Sequence, residues 1–306
     1  MKILIYGAGV IGCLYAALFA QAGYDVSIYA RGARLEMLKT NGLQYKTDRG
    51  IKCANVKIVS EVNNNDRCDF IFVTVREHQL YDVLAALRDN VSPNIVTMVN
   101  SLDPYGKWEK ICGKNRIIPA FPGAGGGFDG EVLDAALTPR IIQPTTFAET
   151  DGRKTQRTKE LAEIFKRSGI PYRITSDMHA WQVCHLAMVV PIADAYYETY
   201  RPEKAGCDMK LMRKTARRIK RNFSMLKKCG AKLVPIKMEL FRILPTPLLT
   251  LGLSVTFKSS FGDKFMYRHS MKAPDEMREL HRKFYSYLKS SCDEDSASMR
   301  EDPDGI

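Results

Sequence analysis

The sequence predicts an α/β domain built on a parallel sheet, followed by an all-α domain, and three observations predict it. Short β-branched runs alternate with helical stretches over residues 1–175, the pattern of strands joined by crossover helices. A glycine-punctuated turn links the first strand to the first helix. From Asp177 onward, strand-like runs give way to long helical periodicity. A chain of 306 residues exceeds what one hydrophobic core usually organises. The expected division is a nucleotide-binding domain over 1–175, a helical domain over 176–290, and a mobile acidic tail over 291–306, which offers almost nothing a core could use.

The elements follow in order. "KILIYG" reads as a strand, "VIGCLYAALFAQAG" as a helix stopped by Gly23, and "DVSIYA" as a second strand. Together they make a β-α-β unit of the usual ~30 residues. Further strands are expected at "DFIFVTV" (69–75), "NIVTMVN" (94–100) and "RIIPAF" (116–121), with helices before the last two. A glycine-rich loop, "PGAGGGFDG", then leads to a strand in "RIIQPTTFAE". A helix over 153–168 and a strand "PYRIT" close the domain. Beyond it, "HAWQVCHLAMVVPIADAYYETY" reads as a long buried helix. "MKLMRKTARRIKRNFSMLKKCG" reads as an amphipathic one, with Met212, Ala216, Ile219, Phe223 and Leu226 on one stripe.

The first turn carries the sharpest signal. Gly7, Gly9 and Gly12 spell G-x-G-x-x-G between a strand and a helix, the context in which that motif denotes a Rossmann-type dinucleotide site. Gly7 permits the tight turn, Gly9 clears the way for a pyrophosphate, and Gly12 lets helix and strand approach. Gly7, Ala8, Gly9, Val10, Ile11 and Gly12 then offer backbone amides at a helix N-terminus. The competing reading, a lipidation signal ending in "VIGC", fails because glycines interrupt the apolar run after four residues. NAD-binding units usually place Asp or Glu at the end of the second strand. Here "SIYARGAR" offers Arg31 and Arg34, forks suited to a 2′-phosphate, so the expected cofactor is NADP(H).

Composition narrows the remaining classes. Eight cysteines form no C-x-x-C pair, which reads as reduced, cytosolic usage. No His pair has the i, i+4 spacing of a helical zinc site, so no metal is expected. The net charge of +12 suits an anionic partner. "RKTARRIKR" could suggest nucleic acid, yet it lacks interleaved aromatics and reads as the wet face of a helix. No apolar run reaches the ~18 residues of a membrane span. The nearest, "FRILPTPLLTLGLSVTF", is broken by Arg242, Pro245 and Pro247. Neither nucleic acid nor membrane is expected as a partner, and "PTPLLTLGLSV" offers a face for a homodimer.

These stretches resemble the ketopantoate reductase family. "MKILIYGAGVIGCLYAALFAQAGYDVSIYARG" is similar to its opening. "DFIFVTVREHQL" is similar to its third-strand motif, with Arg76 and Gln79 in place. "VTMVNS" is similar to its asparagine-bearing strand, with Asn100 followed by Ser101 where a glycine is usual. The likeness is close through Tyr200 and loose beyond it. It implies an NADPH-dependent 2-dehydropantoate 2-reductase-type enzyme acting on a small 2-oxo acid, in pantothenate biosynthesis and in the cytoplasm. It also exposes departures. The family's catalytic lysine aligns with His185, and its asparagines four and eight residues on align with Val189 and Ala193. On this alignment the catalytic candidates are His185, Asn100 and Glu276. His185 would act as proton donor, a role contributing ~10²–10⁴-fold. Asn100 would position nicotinamide or substrate, and Glu276, in "KAPDEMREL", would hold a substrate hydroxyl. Ser259, Ser260 and His269 are weaker pocket candidates, and His179 and His281 read as residues without partners. The alternative is a non-catalytic NADPH-binding sensor that kept only the nucleotide half of the family.

Overall fold

The computed structural model describes residues 1–272 and 274–298. The chain divides into two compact units, Met1–Met178 and His179–Ile306; the sequence placed this boundary at 175/176.

The first unit runs β1 (Lys2–Tyr6), α1 (Val10–Gln21), β2 (Asp25–Tyr29), α2 (Gly32–Asn41), β3 (Leu43–Thr47), β4 (Gly50–Ala54), β5 (Lys57–Val59) and β6 (Phe70–Val73). It continues with α3 (Leu80–Ala86), β7 (Ile95–Met98), α4 (Tyr105–Cys112), β8 (Ile117–Phe121), β9 (Ala124–Asp129), β10 (Val132–Leu137), β11 (Thr145–Phe147), α5 (Gln156–Arg167) and β12 (Tyr172–Ile174). The main sheet has the order β12-β11-β8-β7-β6-β1-β2-β5. Its central strands, FIFV in β6 and IVTM in β7, are buried at every position, as strands covered on both faces must be.

Two expectations are corrected. "RIIQPTTFAE" forms a strand only over β11, which pairs antiparallel with β8, so the main sheet is mixed. "PGAGGGFDG" is not a loop: Ala124–Asp129 is β9, paired antiparallel with β10 in a second sheet of order β4-β3-β10-β9. Its glycines allow close approach, since a Cβ on Gly126 would stand 2.3 Å from the Asp134 carbonyl oxygen. This small sheet explains α1. The helix packs against β1 and β2 on one side and the small sheet on the other, so Cys13, Leu14, Tyr15, Ala16, Ala17 and Phe19 are all buried. Cys13, the residue of the lipidation reading, is fully buried and donates from Sγ to the Ala8 carbonyl at 3.4 Å.

In its described residues, the second unit is helical. It comprises α6 (Met178–Tyr197), a 3-10 turn (Pro202–Cys207), α7 (Met209–Lys228), α8 (Glu239–Ile243), α9 (Thr246–Lys258), a π-helical turn (Gly262–Tyr267), α10 (Arg268–Lys272) and α11 (Pro274–Ser298). Asp208 caps α7, its carboxylate accepting from the Lys210 and Leu211 amides at 2.9 and 3.0 Å. The stripe Met212, Ala216, Ile219, Phe223 and Leu226 is buried. Helix α11 continues through Ser298, so the expected tail is helical over its first residues; 299–306 lie outside the described residues. Cys229 is disulfide-bonded, which corrects the reading of all eight cysteines as thiols. Cys13, Cys53, Cys68, Cys112, Cys184 and Cys207 are free.

Candidate functional site

The glycine turn is held from below by the strand beside it. β1 lies between β2 and β6 in parallel register, with Tyr6 opposite Tyr29 and Val73, so the residues after these three strands meet at one edge. Gly7 has φ +124°, which L side chains rarely adopt. Thr74, just past β6, donates from Oγ1 to the Gly7 carbonyl at 2.9 Å. A Cβ on Gly12 would stand 1.9 Å from the Gly7 carbonyl oxygen, so only glycine lets α1 start this close to the turn. Gly9 differs. A Cβ there would meet nothing within 4 Å, so no contact within the protein demands a glycine. As N-cap of α1, Gly9 has no side chain to satisfy the first-turn amides, and that turn holds no acid. The free donors and open space fit a pyrophosphate.

A pocket of about 470 Å³ opens above this turn, lined by Gly7, Ala8 and Gly9, by Arg31, Arg34 and Arg76, and by Tyr6, Tyr29, Thr74, Gln79, Val83 and other residues of β2, α3 and their loops. Of the predicted turn, Gly7, Ala8 and Gly9 line one cavity together with all three predicted arginines, whereas Val10, Ile11 and Gly12 do not line it. The arginines are not equivalent. Arg31 is exposed, and among the described residues no side chain hydrogen-bonds or ion-pairs with it. Arg34 folds back, with Nε donating to the Ala8 carbonyl at 3.1 Å, one Nη facing Cys13 Sγ at 3.3 Å, and the guanidinium 4.2 Å from the centre of the Phe128 ring. The Arg76 backbone amide donates to Gln79 Oε1 at 3.3 Å, which accounts for their three-residue spacing as a cap on the Glu77–Gln79 turn.

Tyr6, Tyr29 and Thr74 are among the lining residues that the sequence did not single out. Tyr6 and Tyr29 place their rings 4.4 Å apart at the pocket, and burial, reinforced by Tyr29, pushes the Tyr6 phenol up to about 12. Thr74 lay unremarked inside a quoted strand. The available signal was positional: each is at or just beyond the carboxyl end of a strand predicted to be parallel, where open α/β sheets present residues to ligands.

Asn100 follows β7, on the far side of β6 from β1, and is not among the residues lining this pocket. Its Oδ1 is buried and meets no hydrogen-bond partner, an unusual state for a buried acceptor. The loop around it is tied down: Ser101 Oγ donates to Glu77 Oε1 at 3.3 Å, and the Tyr81 hydroxyl donates to Asp103 Oδ2 at 2.8 Å.

His185 and Glu276 belong to the second unit. His185 is 5% exposed on α6, its ring 5.2 Å from that of Trp181 at an interplanar angle of 8°. Ala193, two turns on, is buried. Glu276 lies half-buried in the first turn of α11. His281 corrects the reading of a residue without partners, because its Nδ1 meets the two Asp194 carboxylate oxygens at 2.9 and 3.0 Å. Ser259 is engaged locally, donating to the Thr256 carbonyl at 2.6 Å, and the side chain of His269 lies outside the described residues. Among the described residues, no group of three or more His, Cys, Asp or Glu converges to hold a metal.

Residues 3–132 match the family described as ketopantoate reductase PanE/ApbA. A 2-dehydropantoate 2-reductase of Mesorhizobium japonicum is 28% identical over 59% of this chain and 61% of its own, so the match spans less than two thirds of that relative. Among solved structures, 2-dehydropantoate 2-reductase from Geobacter metallireducens GS-15 superposes with a TM-score of 0.74 at 18% identity, covering 95% of this chain and 94% of that one. D-mandelate dehydrogenase with NADH and anilino(oxo)acetate gives 0.60 at 17% identity, covering 95% and 99%. At such identities these structures show the shared fold.

Proposed function

We propose that the chain, whose residues 3–132 match the ketopantoate reductase family, is an NADPH-dependent reductase of a 2-oxo acid, of the 2-dehydropantoate 2-reductase type. The observation that carries the cofactor half is the contrast at the glycine turn. Gly12 is required by the protein's own backbone, whereas Gly9 faces open space beside uncapped helix amides. The first-turn amides of α1 donate to the pyrophosphate. The exposed Arg31 takes the 2′-phosphate, and no carboxylate at the end of β2 favours a free ribose hydroxyl instead. Arg34 holds the turn in shape from behind, through the Ala8 carbonyl. When bound, the nicotinamide supplies a hydride.

The substrate half rests on this chain's own polar groups. Asn100 offers an Oδ1 with no partner in the protein, which accepts a hydrogen bond from cofactor or substrate. His185 supplies the proton to the carbonyl oxygen, and the indole face of Trp181 stabilises the imidazolium through its π-system. Glu276 holds the substrate's hydroxyl.

A second reading, an NADPH-binding sensor without turnover, is favoured by one observation. His185 is almost wholly buried, and the helix around it carries Val189 and Ala193 where the resemblance places asparagines. Following NADPH absorbance against a panel of branched and unbranched 2-oxo acids separates the two. Consumption with any of them supports the reductase, and tight NADPH binding without consumption supports the sensor.

A further inference from the structure

Helix α9 is apolar on both faces, with Leu249, Leu253 and Phe257 buried on its inner side. Its buried side includes Thr250, which donates to the Thr246 carbonyl at 2.8 Å, and Ser254, which donates to the Gly206 carbonyl at 2.7 Å. Its outward side presents Leu248, Leu251 and Val255, and α8 with its preceding turn presents Ile236, Leu240 and Ile243. These six side chains are between 54% and 84% exposed. They fall at i, i+3 and i+4 spacings along two helical segments, Ile236–Ile243 and Thr246–Lys258, bent by 114° at the elbow between them. Exposed apolar surface on this scale marks an interaction site.

Charge identifies the partner. Residues 209–262 hold 13 Lys and Arg against the single acid Glu239, while the rest of the chain holds 33 of each sign. The whole net charge of +12 therefore resides in α7, α8, α9 and their links. Basic groups border the apolar stripes. Lys237, Arg242 and Lys258 lie in or beside α8 and α9, the Lys220 ammonium donates to the Leu244 carbonyl at the elbow, and Lys227 pairs with Glu239 at 3.3 Å. A second copy of this chain would bring an equally cationic segment against this one and be repelled. Nucleic acid would satisfy the charge but leave the leucines facing water.

We propose that the α8–α9 elbow docks the protein on an anionic lipid surface, its apolar stripes entering the headgroup boundary and its basic residues meeting lipid phosphates. No single described helix is long and apolar enough to cross a membrane, and the two segments of the elbow meet at 114°. This attachment is independent of the proposed reductase activity, and it departs from the sequence expectation of no membrane partner.

Co-sedimentation of the full chain with phosphatidylcholine vesicles containing about one third phosphatidylglycerol, against pure phosphatidylcholine, tests this. The protein pellets with the anionic vesicles and not with the neutral ones. Leu248→Ser, Leu251→Ser and Val255→Ser together abolish pelleting, with an unchanged melting curve because all three are exposed. Lys237→Gln, Arg242→Gln and Lys258→Gln together weaken it roughly tenfold or more. Absence of pelleting with anionic vesicles, or pelleting unaffected by the serine substitutions, overturns the proposal. So does a wild-type dimer in ultracentrifugation that those substitutions dissociate, since the occupant would then be a second copy.

Discussion

Arg34 Nε donates to the Ala8 carbonyl at 3.1 Å, across 26 positions of sequence, so the arginine expected to grip a ligand is also a strut of the glycine turn. Arg31, three residues earlier, has no such tie. The two substitutions therefore separate. Arg31→Ala lowers NADPH affinity by about tenfold to a hundredfold, the worth of ~1.5–3 kcal/mol for hydrogen bonds to a charged group. It leaves NADH affinity and melting temperature close to wild type. Arg34→Ala lowers the melting temperature and weakens both dinucleotides together. Fluorescence titrations with the two cofactors, beside thermal melts, read out the split.

The glycines separate in the same manner. Gly12→Ala forces a Cβ to 1.9 Å from the Gly7 carbonyl oxygen and destabilises the fold, seen as a lower melting temperature without any ligand. Gly9→Ala meets no protein atom, so it melts like wild type. Its methyl enters the space assigned to the pyrophosphate, and dinucleotide affinity falls by about tenfold or more. Wild-type affinity in Gly9→Ala would remove the site from this turn.

Asn100→Ala tests the orphaned acceptor. Because Oδ1 has no partner in the protein, removing it leaves no group newly unsatisfied, and stability changes by under about 1 kcal/mol. Turnover falls while the melt stays in place. A large loss of stability with normal kinetics would assign Asn100 a purely structural role.

The β1-α1-β2 unit was legible because each local signal agreed: β-branched strands, glycines at the required spacing, and a second strand at the right distance. The second sheet was not legible. β9 is half glycine, which reads as loop until its partner β10 is known, and β3 joins β10 through the non-local pairing of Tyr45 with Leu133. The site shows the same division. Gly7, Gly9 and Arg31 carry their signal in the local sequence. Tyr6, Tyr29 and Thr74 become pocket residues only through the parallel register that brings three strand ends together. Nothing near His281 in sequence announces Asp194, which lies 87 positions away on another helix.

His185 is best tested by a substitution that spares packing. His185→Gln keeps a polar side chain of similar reach beside Trp181 but cannot deliver a proton, so it reduces turnover by ~10²–10⁴-fold with NADPH affinity nearly unchanged. His185→Ala adds a loss of stability from the emptied space in α6. Steady-state kinetics and melts on both variants check this, and wild-type turnover in His185→Gln would exclude His185 as the acid.

The proposed reductase moves hydride from NADPH to a 2-oxo acid. Incubating the wild-type protein with NADPH deuterated at the transferable position and a branched 2-oxo acid, then analysing the organic acid by mass spectrometry, tests it most directly. A 2-hydroxy acid carrying deuterium at the carbinol carbon, formed in step with oxidised cofactor and slowed by Gly9→Ala at subsaturating NADPH, is the result predicted. Bound but unoxidised NADPH with unchanged 2-oxo acid across a broad substrate panel would contradict it, and would make the protein a binder of the dinucleotide instead.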